Sequence, residues 1–172
     1  MAREPLEEPY RPAPLMKVMT LNLAHGRGPL WHQWLLKRAA IEANLDRVMG
    51  ALRREAPDVV ALQEADGPSS WSGDFDHVAY VAKAAGYPYL VRGDHVQRRR
   101  LVYGTALLSK LPVRDALSVT FTRSITAPTK GFVVARVAFP GRPKLLVDVA
   151  AVHLDWLRPV CAVARWTRSW AA

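Results

Sequence analysis

The stretch PDVVALQEAD, residues 57–66, contains a predicted strand over residues 58–64 that is almost continuously apolar and stops at Glu64. A strand of this kind is expected where both faces of a sheet are covered. A carboxylate at the end of such a strand is costly to bury without partners, so Glu64 is expected to face a cation or several hydrogen-bond donors. This one segment therefore predicts both a layered fold and a polar site at its edge.

The segments around it alternate between helical and strand patterns. Apolar residues recur at helical spacing over residues 38–55, and Pro57 ends that helix. A shorter helix is predicted over about residues 76–85, with Asp74 or Asp76 as its N-cap. The remaining predicted strands, broken by Gly and Pro, are KVMTLNL, YPYLV, GTALLS, ALSVTFT, GFVVARVAF and KLLVDVAAV. This order predicts an α/β fold with mixed sheet and helices on its outer face.

Composition limits the function classes without choosing among them. The 172 residues carry 24 Lys and Arg against 15 Asp and Glu, a formal charge of +9 that favours anionic partners or simply gives a solvated basic surface. Cys161 is the only cysteine, which excludes an intrachain disulfide and a multi-cysteine zinc site. No apolar run approaches the roughly 18 residues of a transmembrane helix. We expect a cytoplasmic protein.

Composition also divides the chain into three parts. Residues 1–14 hold four prolines and are expected to be a disordered leader. Residues 15–157 form the predicted domain. Residues 158–172 contain two of the six tryptophans, the only cysteine and no acidic residue. The composition of this tail is consistent with either an out-of-frame or truncated ending or a short helix that belongs to the protein.

Three polar residues lie at the ends of predicted strands, where loops gather and sites form: Asn22, Glu64 and His153. Mg²⁺ would suit Glu64, because this hard ion takes one or two carboxylates, keeps waters and is completed by phosphate oxygens. Asn22 could orient a water or a phosphate oxygen, and His153 could donate to a phosphoryl oxygen. Each residue also has a plain structural alternative: a turn asparagine, a hydrogen-bonded histidine, and a glutamate paired with a basic side chain.

Four segments in this order resemble the endonuclease/exonuclease/phosphatase family. TLNLAHG is similar to its first strand, PDVVALQEAD to its metal-carboxylate strand, YGTALLSKLPV to its central strand and AAVHLD to its histidine strand. The resemblance covers residues 16 to about 158. It implies a divalent-metal phosphoesterase on a four-layer α/β/β/α sandwich of the deoxyribonuclease-like type.

Carried onto this chain, the resemblance implies a role for each matching residue. Glu64 would be the Mg²⁺ ligand, with Mn²⁺ as a substitute ion, and Asn22 would contact a metal-bound water or the phosphate. His153 would stabilise the phosphoryl group, and Asp155 would orient a neighbour. The less specific candidates, all expected to contact substrate, are His25, Arg27 and Lys130. The expected substrate is a phosphoester: a lipid headgroup, which the LNLAHGRG opening slightly favours, a small phosphodiester or a nucleic acid.

The chain departs from the family pattern after its histidine strand. Neither the Asp-x-Asn nor the Ser-Asp-His segment of the family occurs in the 17 residues that follow Asp155. We therefore expect an incomplete second sheet, impaired turnover, and self-association through exposed apolar strand surface. A phosphate-binding fragment without turnover and a nonfunctional truncated product remain alternatives.

Overall fold

The computed structural model describes residues 14–28, 36–121 and 128–154, which form seven strands and two α-helices. In chain order these elements are β1 (Val18–Asn22), α1 (Arg38–Glu55), β2 (Val59–Asp66), α2 (His77–Ala85), β3 (Tyr89–Arg98), β4 (Leu101–Ser109), β5 (Val113–Thr120), β6 (Gly131–Phe139) and β7 (Arg142–His153). Both predicted helices and all the predicted strands are present.

Local sequence signals set the helix limits. Helix α1 has the predicted bounds, and its buried stripe is Ile41, Leu45, Met49 and Leu52. Helix α2 begins after Asp76, whose carboxylate accepts a hydrogen bond of 2.9 Å from the backbone N–H of Ala79. Asp76, rather than Asp74, is therefore the N-cap.

The strands form two separate sheets. The first has the order β1-β2-β4-β3, with β1 and β2 parallel and the other neighbours antiparallel. The second has the order β5-β6-β7 and is antiparallel throughout. Strand β2 lies inside the first sheet, as its apolar sequence predicts, and stops two residues beyond the predicted end.

Two hydrophobic cores separate the layers of the fold: one lies between the helices and the first sheet, and the other lies between the two sheets. Helices α1 and α2 cover one face of the first sheet, where Val60 and Leu62 of β2 point. The other face, which carries Val59 and Ala61, packs on the second sheet. The described residues thus form helix, sheet and sheet layers in that order, with both α-helices on the first sheet. The second sheet is small, with three strands, as the sequence predicts.

Part of the second sheet's apolar surface is exposed. Large apolar side chains with substantial exposure on or next to strands β5 and β7 are Leu117, Leu145, Leu146, Val152 and Leu154. Such surface is expected when a sheet lacks a covering layer. Self-association through this face remains a prediction.

Some sequence predictions concern parts of the chain outside the described residues. These are the leader up to residue 13, the tail over residues 158–172, and Asp155. Neither α-helix of the described ranges is long and apolar enough to cross a membrane.

Two glycines offer a matched test of the loop that follows β1. Gly26 has φ +73°, and a Cβ there would lie 2.6 Å from Cγ2 of Ile41, whereas Gly50 in α1 has open space around it. We expect Gly26→Ala to destabilise the fold by about 2 kcal/mol or more, through left-handed strain and overpacking. Gly50→Ala should instead stabilise it by about 0.5–1 kcal/mol. Urea unfolding of both variants checks this, and a neutral Gly26→Ala would contradict the loop conformation.

Candidate functional site

Glu64 sits in a break of strand β2. The pairing of β2 with β4 shifts register between Leu62 and Ala65, and Glu64 has a left-handed backbone with φ 47°. A non-glycine residue in this region costs on the order of 1–3 kcal/mol, and such residues cluster at functional sites. Bulges also re-aim side chains at the edges of sheets. The bulge therefore directs Glu64 differently from the rest of its strand.

The Glu64 carboxylate lies between two imidazoles. Its Oε2 is 3.6 Å from Nε2 of His25, and its Oε1 is 3.7 Å from Nε2 of His153. All three side chains are mostly enclosed, with 14–21% exposure. Both distances are longer than a hydrogen bond but within the 4 Å of an ion pair, so each carboxylate oxygen directly faces a ring nitrogen. The structure thus brings together three residues that the sequence predicts as site residues.

The loop after β1 presents His25. Ala24, His25 and Gly26 have successive left-handed φ values of 46°, 56° and 73°. The side-chain oxygen of Asn22 accepts a hydrogen bond of 2.8 Å from the backbone N–H of Ala24 and so supports this turn. Asn22 is also the register partner of Gln63, the residue before Glu64. It therefore acts as a turn residue while lying beside the predicted metal carboxylate.

His25 is held by a carboxylate that the sequence analysis did not single out. Asp66 is fully buried; its Oδ1 lies 2.6 Å from Nδ1 of His25, and its Oδ2 accepts a hydrogen bond of 2.9 Å from the indole N–H of Trp71. The rings of Trp71 and Tyr103 contact the imidazole from the same side, with centroids 4.7 Å and 4.9 Å from it and 5.6 Å from each other. This aromatic wall closes one side of the site.

His153 and Lys130 form the opposite side. His153 ends β7 opposite Gly131, the first residue of β6, and Lys130 immediately precedes that strand. The Lys130 ammonium lies 2.9 Å from Nε2 of His153. Burial is the largest cause that lowers the pKa of His153, and the charge of Lys130 is the second. The negative charge of Glu64 opposes this shift. Burial and the Lys130 charge thus favour the neutral form of the ring.

The remaining predicted site residues are Arg27 and Asp155. Arg27 lies at the end of the short turn after β1, where its backbone N–H donates to the carbonyl of Ala24. Asp155 lies outside the described residues.

The donor set fits a hydrated hard ion held through few protein ligands. Residues 14–28, 36–121 and 128–154 contain no group of three or more His, Cys, Asp or Glu placed to bind a metal by themselves. Glu64 nevertheless offers one partly exposed carboxylate. Mg²⁺ commonly uses one or two carboxylates, several waters and substrate phosphate oxygens. Glu64 therefore fits such an ion.

A third histidine, His95, which the sequence analysis missed, lies between the two sheets. The buried His95 contacts the hydroxyls of Thr105 on β4 at 2.9 Å and of Thr120 on β5 at 3.1 Å, so it joins the two sheets. A Cβ at Gly131 would lie 2.4 Å from its Nδ1. Burial chiefly lowers the pKa of His95 to about 4; Asp94 opposes the shift and His153 adds to it.

The missed residues differ in how visible they are in the sequence. Asp66 follows Glu64 by two positions within QEAD, and that short acidic pair is a usable signal. Trp71 lies in the loop GPSSWSG, and its partner is identified only once the chain is folded. His95 and Tyr103 stand in ordinary strand sequence and carry no signal.

Comparison with known proteins identifies the architecture. The family model described as "Endonuclease/Exonuclease/phosphatase family" matches residues 19–171. The chain belongs to the endonuclease/exonuclease/phosphatase family. A comparison with the curated proteins gives no significant match.

Solved structures share the fold of this family member. An endonuclease/exonuclease/phosphatase from Beutenbergia cavernae is 24% identical with a TM-score of 0.55, over 81% of this chain and 38% of its own. TDP2 from Caenorhabditis elegans is 19% identical with a TM-score of 0.54, over 81% and 36%. Sphingomyelinase C from Streptomyces griseocarneus is 24% identical with a TM-score of 0.52, over 80% and 48%. The chain thus spans less than half the length of these three structures.

The buried His95 predicts how stability depends on pH. The folded chain keeps this ring neutral with a pKa of about 4, whereas an unfolded chain protonates it near 6.5. The neutral His95 ring therefore makes its full contribution to the free energy of unfolding above about pH 6.5. That contribution falls by at most about 3 kcal/mol as the pH drops from about 6.5 to about 4.

Urea unfolding of the wild type and of His95→Gln at about pH 7.5 and about pH 5 checks this prediction. The wild type should lose more stability between the two values than the variant does. Because His77 also has a pKa lowered by burial, only the difference between the two proteins reports on His95. Equal losses would show that His95 does not contribute.

Proposed function

We propose that the chain carries a divalent-metal-dependent phosphoesterase site centred on Glu64. The observation that carries the proposal is the left-handed bulge that places the Glu64 carboxylate between the rings of His25 and His153. Membership of the endonuclease/exonuclease/phosphatase family supports it, as does the donor set, which suits Mg²⁺ or Mn²⁺.

In this proposal Glu64 binds the ion, and Asn22 contacts an ion-bound water or the phosphate. When bound, the ion polarises the phosphoryl oxygen and lowers the pKa of a coordinated water. Lys130 supplies fixed positive charge for the phosphoryl oxygens. His153, whose Nε2 lies 2.9 Å from the Lys130 ammonium, stabilises the phosphoryl group beside it.

We propose a phosphodiester as the substrate, with a lipid headgroup favoured over a nucleic acid. Sphingomyelinase C is named for a phospholipid substrate, and the chain is 24% identical to it. The exposed arginines 98–100, at the tip of the β3–β4 hairpin, would suit a longer polyanion and keep nucleic acid as an alternative. Cytoplasmic location and self-association through the second sheet belong to the same proposal.

A phosphate-binding protein without turnover is the second candidate. It is favoured by a cluster in which Lys130 and two imidazoles surround Glu64 while the described residues contain no group of three or more His, Cys, Asp or Glu that could hold a metal ion. General-base assistance typically contributes about 10²- to 10⁴-fold to rate, so a site without such a group binds phosphate but turns it over slowly.

Hydrolysis of bis-p-nitrophenyl phosphate and of sphingomyelin with Mg²⁺ or Mn²⁺ tests the proposal. Glu64→Gln should lower activity more than roughly 100-fold, because even outer-shell partners of a bound metal contribute 10- to 100-fold. Glu42→Gln is the matched control, since Glu42 is a helix-surface carboxylate paired with Arg38. Activity that survives Glu64→Gln contradicts this site, whereas a folded chain that binds Mn²⁺ without turnover supports the second candidate.

Phosphate binding offers a separate test of Lys130. Replacing the ammonium in Lys130→Gln removes a charge-assisted hydrogen bond and should weaken inorganic phosphate binding about tenfold. Lys144→Gln, an exposed lysine of β7, should leave binding unchanged. Calorimetric titration of both variants in the presence of Mg²⁺ measures the difference, and equal affinities would exclude Lys130 from the anion site.

A further inference from the structure

Asp66 is buried in a way that packing alone does not explain. It has no exposed surface, and its two oxygens face separate partners, Nδ1 of His25 and the indole N–H of Trp71. Removing a carboxylate from water costs several kcal/mol even after relaxation, and an apolar side chain of similar volume often replaces a buried charge without loss. A charge retained here therefore suggests a role in orienting its neighbours.

The bond to Asp66 decides which edge of His25 faces the site. With Nδ1 directed at Asp66, the ring turns Nε2 towards Oε2 of Glu64, 3.6 Å away. Trp71 and Tyr103 both pack against one side of the same ring and limit its rotation towards that side. His25 is therefore fixed by a buried anchor and presents one defined nitrogen to Glu64.

The direction of the Glu64 side chain depends on neighbouring side chains more than on the strand itself. Glu64 lies at the register shift of β2 with φ 47°, so regular strand pairing does not fix its direction. Its carboxylate is bounded on one side by His25 and on the other by His153. Of these two rings, His153 contacts the Lys130 ammonium at 2.9 Å, whereas Nδ1 of His25 lies 2.6 Å from the buried Asp66.

We propose that Asp66 is a positioning residue for the metal site. Through Nδ1 of His25 it keeps the Nε2 edge of that ring against Glu64, and this fixes the Glu64 carboxylate in the orientation that receives the divalent cation. Asp66 itself does not touch the ion. The inference rests on the proposed function, in which Glu64 binds the metal.

Two measurements on the full 172-residue chain test it. One is the Mn²⁺ dissociation constant from electron paramagnetic resonance; the other, made without metal, is the ¹³Cδ resonance of Glu64. Asp66→Asn keeps the side-chain volume, but its single oxygen cannot accept from both His25 and Trp71 as the two carboxylate oxygens do. The substitution should raise the Mn²⁺ Kd about tenfold and shift the Glu64 resonance. Asp148→Asn is the control, because it makes the same change in an exposed ion pair with Arg136 on the second sheet. It should leave both values unchanged.

Each outcome decides the question. A folded Asp66→Asn with wild-type Kd and an unmoved Glu64 resonance overturns the proposal. If that variant does not fold, Trp71→Phe decides instead: it keeps a ring but removes the donor to Oδ2, so both readouts should move in the same direction and unchanged values overturn the role. If the wild type binds no Mn²⁺, the proposed function fails, and the metal-free Glu64 resonance alone then decides whether Asp66 positions Glu64.

Discussion

The burial of strand β2 on both faces is the constraint from which the rest follows. Alternate side chains of this strand enter two different cores: Val60 and Leu62 pack under the helices, while Val59 and Ala61 pack on the second sheet. A strand held in this way cannot rotate or slip by one residue without exposing one core and crowding the other. Polar chemistry is therefore confined to its end, and the bulge at Glu64 lies where the strand leaves this double packing.

The loop after β1 and the bulge at Glu64 both have a strained backbone that the surrounding contacts must hold in place. Three successive left-handed residues follow β1, and Glu64 adds a fourth in the neighbouring strand. These conformations persist only because the contacts around them outweigh their cost. Gly26 fits closely against Ile41, its carbonyl accepts from Asn44 of α1, and His25 is bound to the buried Asp66. The helical layer thus supports the site although it contributes no residue to the chemistry.

Much of this architecture could be predicted from sequence because the relevant signals are local. Apolar spacing and Pro57 predict the limits of helix α1, and a capping aspartate predicts the start of α2. Glu64 was predictable because an acidic residue ends an apolar strand. The His25–Asp66 pair was not, since its members are 41 positions apart and meet only through the parallel pairing of β1 with β2. The bulge has no proline or glycine to mark it, and His95 depends on threonines from two other strands.

The two sides of the site belong to different sheets. Glu64 and His25 are attached to the first sheet, and His153 and Lys130 to the second, so the gap between Glu64 and His153 is set by the distance at which the sheets pack. That distance depends on the volume of side chains such as Leu107 and Val133, which lie inside the inter-sheet core. Substitutions there can widen or narrow the cleft without altering any residue in it. Core volume is thus a route by which evolution can change the width of this cleft, and with it the size of the ligand that fits the proposed site.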